Sequence, residues 1–251
     1  MTALSSRPAA PAHSWVGLAI ALVIITAYLG SWYGVLRLDL ATLPWGLILL
    51  AIACRTFCHT GLFITAHDAI HGTVFPQNQR INDGVGAIAL FLYALFLYPV
   101  MREKHLQHHA NPATADDPDY YSDAQQNPAL WYGRFIWDYL QGPHRWIVLG
   151  GMTLLFHSLF WLGHVPLSNL LLLWVLPNVI SSMQLFFIGI YLPHRDPPDG
   201  HQNQHRSTTL PLPVFWSWLA CYHFGYHWEH HEYPHVPWYR LPAYHAQPPQ
   251  G

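Results

Sequence analysis

Nineteen histidines stand in a chain of 251 residues that has only eleven lysines and arginines together. Eight of them fall in three short stretches: His67-Asp-Ala-Ile-His71, His105-Leu-Gln-His108-His109 and His227-Trp-Glu-His230-His231. On an α-helix, residues three and four apart share a face, so each stretch would present its imidazoles together. Imidazoles repel one another when protonated, and the chemical reason to gather them neutral is a metal ion. A structural zinc takes about four ligands. Eight donors therefore imply two ions, each with four or five nitrogens and room for an exogenous ligand. Imidazole suits zinc, copper, iron and nickel alike, so the histidines alone leave the metal open. The pattern of soluble di-iron bundles, Glu with Glu-x-x-His on inward faces, is missing.

Two more histidines are candidate ligands. His194, in Tyr191-Leu-Pro-His-Arg195, falls where an apolar run ends, and His223 precedes His227 by one helical turn. His59, His157 and His164 read as packed or capping residues, and His13, His144, His201, His205 and His245 as solvent or interface residues. Ligating histidines donate their second N–H to a carboxylate or carbonyl, which fixes the ring. Asp68 adjoins the first stretch, and Asp116, Asp117 and Asp119 follow the second. Asp117 and Asp68 are the carboxylates expected to serve catalysis in this way, and Glu229 is expected behind the metal-facing residues or toward solvent. His231-Glu232-Tyr-Pro-His235 matches the H-E-x-x-H pattern of zinc proteases. That pattern needs one uninterrupted helix, and Pro234 removes a hydrogen bond and disfavours helical geometry at Tyr233. The helix should end near Glu232, with His235 pointing elsewhere.

The elements that must position these groups are apolar. The chain is 52% apolar, 15% aromatic and 10% charged, against about 25% charged in average soluble domains. Trp15 to Leu36 and Trp45 to Ala66 are each long enough to cross about 30 Å of hydrocarbon. Trp146 to Leu162 and Asn169 to Leu192 read as two more spans, the last kinked at Pro177. Between the first two histidine stretches lies another apolar run, Ile81 to Val100. A full crossing would put those stretches on opposite membrane faces, so the run must re-enter or lie along the interface, with Gly84 and Gly86 helping it bend. Arg55, inside the second span, should face protein, in a structural ion pair.

The sequence thus reads as an all-α integral membrane protein of about four transmembrane helices plus a re-entrant or interfacial segment. A histidine-rich di-metal cap lies at one face. A single domain covers 1–251, with 1–13 a disordered lead that lacks the basic residues of a signal peptide. Arg80, Arg102, Lys104, Arg134, Arg145, Arg195, Arg206 and Arg240 fall on the cluster side and Arg37 on the other, which makes the cap cytoplasmic. The net charge of −2 argues against a nucleic-acid partner. Three cysteines, Cys54, Cys58 and Cys221, suggest a reducing compartment and no disulfide framework.

The three stretches resemble the histidine boxes of the membrane fatty-acid desaturase/hydroxylase superfamily. More narrowly, five pieces resemble the bacterial β-carotene ketolases: His67-Asp-Ala-Ile-His-Gly72, Ala-Asp-Asp-Pro-Asp at 115–119, Tyr-Leu-Pro-His-Arg at 191–195, His-Phe-Gly-Tyr-His at 223–227, and Pro237-Trp-Tyr-Arg-Leu-Pro242. The tail departs from the family's Pro-Trp-Trp at Tyr239. The resemblance implies two non-haem iron ions, O2 as co-substrate, a ferredoxin-type electron donor and a place in the inner membrane among its lipids. The expected reaction converts the C4 methylene of β-carotene to a ketone by two hydroxylations and a dehydration, giving echinenone and canthaxanthin. Zeaxanthin is a further candidate substrate. A carotenoid C3 hydroxylase or acyl-lipid desaturase of the same superfamily is the alternative, and a membrane metal-binding or transport protein the remote one.

Overall fold

A computed structural model describes residues 15–124 and 127–245. His13 and the whole of the expected disordered lead, 1–13, lie outside them. Among the described residues the chain is helical, without strands. The first two helices, α1 (Val16–Arg37) and α2 (Trp45–Ile70), are 22 and 26 residues long. Neither carries an acid in its first turn, and much of α1's apolar surface faces outward, Val23 being 68% exposed. A helix satisfies its backbone internally, which is the condition for placing such a surface in lipid.

Helix α3 (Gln79–Ala94) opens on an Asn78 cap whose side chain accepts from the Arg80 and Ile81 amides at 3.0 and 3.2 Å. It stops at Leu95, which takes the left-handed conformation at φ 58°. The chain then turns by 100° into α4 (Tyr98–Ala110). The apolar run 81–100 is therefore a bent pair, as the shared face of the first two histidine stretches demands. The bend is not at Gly84 or Gly86, which sit inside continuous helix. Gly86 serves contact instead: a Cβ there would lie 2.5 Å from the Tyr98 ring and 2.7 Å from Ala69. The absence of a side chain lets α3 close on α2, where buried Asn82 donates to Ala69 O at 2.7 Å and accepts from Phe75 N at 3.2 Å.

Helix α5 (Pro128–Tyr139) starts with a proline behind an Asn127 cap, where a missing N–H costs nothing. Helices α6 (Arg145–Trp161) and α7 (Leu167–His194) run antiparallel, Phe156 stacking on Trp174 at 6.1 Å. Three helices, α1, α2 and α7, are long and apolar enough to cross a membrane, and a fourth span is reached by counting the bent pair. The expected span at Trp146–Leu162 is a helix of 17 residues, roughly 25 Å long at 1.5 Å per residue. Pro177 does not simply kink α7. π-helical turns at Leu171–Val175 and Phe187–Tyr191 precede Pro177 and Pro193, and the wider turn accommodates a residue that cannot donate.

Arg55 is buried, but no carboxylate pairs with it among the described residues. It donates to Leu173 O, Tyr28 O and Ser31 Oγ, and lies over the Tyr28 and Trp32 rings at 4.6 and 5.1 Å. Carbonyls and ring faces suit a guanidinium without adding a second charge to desolvate. The last helices are short: α8 (Val214–Cys221), α9 (His227–Glu232) and α10 (Leu241–His245).

Candidate metal centre

The C-terminal end of α2, the C-terminal half of α4, the last residue of α7 and all of α9 converge at one end of the bundle. Nine imidazoles meet there in two groups. The first contains His67, His71, His105, His109 and His230, and the second His108, His194, His227 and His231; within each group the donor atoms lie within 4.8 Å of one another. Adjacent residues on a helix point about 100° apart. His108 and His109 therefore serve different groups, and so do His230 and His231. The doubled histidine of each stretch is what allows α4 and α9 to feed both groups at once.

In the first group, His71 and His105 face each other through Nε2 at 2.8 Å, and His109 and His230 at 2.9 Å. In the second, His231 Nε2 is 3.1 Å from both His108 and His227 Nε2. Burial, then the Coulombic push of neighbouring imidazoles, holds His227, His230 and His231 well below the ordinary histidine range. His71 is brought down to about 4, by burial first and His108 second. These rings are neutral at physiological pH, the state a metal requires.

The outer nitrogens are held from behind. Both oxygens of Asp117 lie 3.0 Å from His108 Nδ1, and Asp117 also accepts from the amides of Ala113 at 2.8 Å and Asp119 at 2.9 Å. His194 Nδ1 donates to Arg206 O at 3.0 Å, and Arg206 in turn donates to Ala113 O. These partners assign N–H to Nδ1 and the lone pair to Nε2 in both rings. His108, Asp117 and Asp119 also form a group close enough to hold an ion, but the Nδ1 contact makes them support for the imidazole. Asp68 is a looser counterpart: its Oδ1 is 3.8 Å from His67 Nδ1, and its Oδ2 accepts from Trp238 N at 3.2 Å.

The buried Nε2 atoms of His194 and His67 have no partner among the described residues. An imidazole lone pair buried without a donor is unfavourable. Two such atoms, aimed into groups of facing nitrogens, fit metal ions and fit little else.

His223 stands outside both groups. Helix α8 ends at Cys221, Tyr222 and His223 both take positive φ (49° and 61°), and α9 begins only at His227. The two histidines are thus not on one helix, and His223 stacks on Tyr226 at 5.5 Å instead. Helix α9 ends at Glu232, and His235 leaves the site. Glu229 is buried, accepting from Thr209 Oγ1 and lying 2.7 Å from His245 Nδ1. His205, expected with His245 at solvent or an interface, lies 2.7 Å from Glu232. His144 bonds Tyr139 O at 2.8 Å and His201 lies 3.2 Å from Asp196.

Beside the groups is a small cavity of about 30 Å³, walled by Phe63, Ala66, Ile70, Leu90, Met101, Phe135, Tyr139, Leu185, Ile190 and Phe224 and reached by His67, His105, His108, His227 and Asp119. Burial pushes Asp119 up to about 6, with His108 pulling the other way. Phe224 stands edge-on to His67 at 5.0 Å and to His227 at 5.4 Å. It fits because Gly189 has no side chain: a Cβ there would sit 1.9 Å from the ring. None of Tyr139, Phe224 or Gly189 carries a local signal of its role in the sequence.

A protein-family model described as fatty acid desaturase matches residues 40–249. The chain belongs to the fatty acid desaturase family. Within reach of this member of the family, the beta-carotene ketolase of Paracoccus sp. (strain PC1) is 40% identical over 208 residues, 82% of this chain and 81% of that protein. A second beta-carotene ketolase, from Paracoccus sp. (strain N81106 / MBIC 01143), is 40% identical over 194 residues, 75% of either chain. The zeaxanthin 4-ketolase of Chlamydomonas reinhardtii is 34% identical over 239 residues, 90% of this chain but only 52% of that longer protein.

Proposed function

We propose that this desaturase-family protein is a di-iron carotenoid C4 ketolase. The observation that carries the reading is the pair of buried imidazole groups opening on an apolar cavity, in a chain similar to named ketolases over most of its length. His67, His71, His105, His109 and His230 would hold one iron, and His108, His194, His227 and His231 the other. When bound and reduced, the irons would supply O2 activation for attack on the allylic C–H bond at C4. Each round consumes one O2, two electrons and two protons, puts one oxygen atom on C4 and releases the other as water. The first round turns CH2 into CHOH; the second gives a geminal diol, which loses water to leave C=O. The electrons come from a ferredoxin-type donor.

The protein's own share is to orient and to exclude water. Asp117 and Arg206 O fix two imidazoles, and Asp68 sits behind a third. Apolar side chains line the space beside the imidazoles, toward which a β-ionone ring would approach and which must widen to admit it. A groove of about 580 Å³, lined by Ile136, Val148, Met152, Phe156, Val175 and Val179 among others, shares Tyr139 with that cavity. It gives a long polyene an apolar route in from the bilayer. The irons would face the cytoplasm at the inner membrane, a reading that the cations of the cluster side support. Transport sites gather ionisable groups near the midplane, whereas these histidines sit at one end.

Pigment analysis of β-carotene-producing cells expressing the wild type and His230→Ala tests this reading. Ketones from the wild type and none from the variant support it. Hydroxylated products alone indicate a C3 hydroxylase, and unchanged carotenoid with folded, iron-loaded protein points to acyl lipids.

A further inference from the structure

One carboxylate interrupts the cavity wall. Asp119 is 2% exposed and lines the cavity beside His67, His105, His108 and His227. Its position is set by its amide, which donates to Asp117 Oδ1 at 2.9 Å; its Oδ2 stands 3.9 Å from His108 Nδ1, and Tyr139 lines the same cavity. Its Oδ1 is buried and has no partner among the described residues. A buried acceptor without a donor is unfavourable, and a cavity meant only for hydrocarbon would gain by an apolar residue here. Asp117 already orients His108, so Asp119 is not needed for that.

The reaction proposed above supplies a donor part-way through. A ring methylene offers none, but the product of the first round carries one O–H, on the carbon that must be oxidised again. Release of that alcohol would leave a hydroxycarotenoid; retention leads to the ketone. We propose that Asp119 is a positioning residue for the second oxidation, its free Oδ1 accepting a hydrogen bond from the C4 hydroxyl and keeping C4 at the irons. The proposal rests on the C4-ketolase reading and adds to it what selects ketone over alcohol. Tyr139 completes the device. Its side chain lines the cavity with Asp119 and lines the groove as well, so a ring entering from the bilayer passes this pair. Because the hydrocarbon cannot make the bond, the interaction distinguishes the second substrate from the first, the situation in which a single polar contact discriminates most.

The test is product partition. Asp119→Leu is compared with wild type on β-carotene and on a carotenoid already hydroxylated at C4, with iron content measured on the same purified protein. The expected result is normal iron, accumulation of C4 alcohols, and a kcat/KM loss about tenfold to a hundredfold greater on the alcohol than on β-carotene. Asp119→Asn, which retains an acceptor oxygen, recovers part of the ketone, and Tyr139→Phe shifts the ratio the same way by a smaller factor. An unchanged ketone-to-alcohol ratio in Asp119→Leu, or equal loss on both substrates at normal iron, overturns the proposal. Where Asp119→Leu does not load iron, unchanged ratios in both milder variants overturn it. Absence of C4 ketone from the wild type would instead sink the ketolase reading, and so the two failures are separable.

Discussion

The two histidine groups share helices α4 and α9 but are built on different terms. The first holds five imidazoles, all from the three histidine stretches, and three of them are only partly buried. The second holds four, all buried, and one of these, His194, comes from the end of α7. The first has a spare donor and loose support, with Asp68 at 3.8 Å from His67 Nδ1. The second has no spare; two of its rings are fixed, His108 by Asp117 and His194 by Arg206 O, each at 3.0 Å, while Nδ1 of His227 and of His231 has no partner among the described residues. The two groups therefore differ in donor number, in burial and in how His67, His108 and His194 are supported.

That contrast predicts unequal responses to ligand loss. His194→Ala leaves three nitrogens in the second group and should drop iron from two ions to one per chain, with ketone below detection. His71→Ala leaves four in the first group and should keep most of its iron. Metal analysis of both purified variants checks this, and equal iron loss would erase the distinction. Asp117→Asn should lower metal affinity or activity about tenfold to a hundredfold, the usual effect of removing a partner behind a ligand; Asp68→Asn should do less, as iron titration of the two would show. Gly189→Ala strikes between the groups, because Phe224 must move away from both His67 and His227. Overpacking of this kind costs about 1–3 kcal/mol, visible as a lowered Tm with both irons affected alike.

The smallest effect concerns acid. His71 and His223 are each held at about 4 by burial, against about 6.5 in an unfolded chain. The folded state therefore binds fewer protons than the unfolded one between these values, and stability falls as pH drops from 6.5 toward 4. Metal-free protein should lose a few degrees of Tm across that window. Iron-loaded protein should resist until the metal leaves, and the partly exposed first group should release its iron first.

Much of this was legible in the residues. Period and length gave the long helices, because twenty uncharged apolar residues have few other places to go. Histidine spacing gave the cap, because a helix converts spacing into a shared face. The placement of the first two stretches on one side of the bundle even required the run 81–100 to turn back. Where the turn falls was not legible: Leu95 in a left-handed conformation is an ordinary leucine in the sequence, and the glycines that invited the assignment serve close packing. His223 misled for the related reason that a helix was extended through two residues with positive φ. Arg55 and Glu229 found partners far along the chain that no local pattern announces.

The sequence by itself determined the chemistry available, namely nine or so imidazoles, nearby carboxylates and an apolar chain to carry them, since side-chain type and helical period are local properties. Only the tertiary structure decided how those donors divide into five and four, that His194 lies within a group of facing nitrogens and His223 apart from both, and that Asp119 and Tyr139 line the cavity. Those are distances between helices packed from remote parts of the chain, and they follow from contacts such as Ala69 against Gly86 and Phe224 against Gly189.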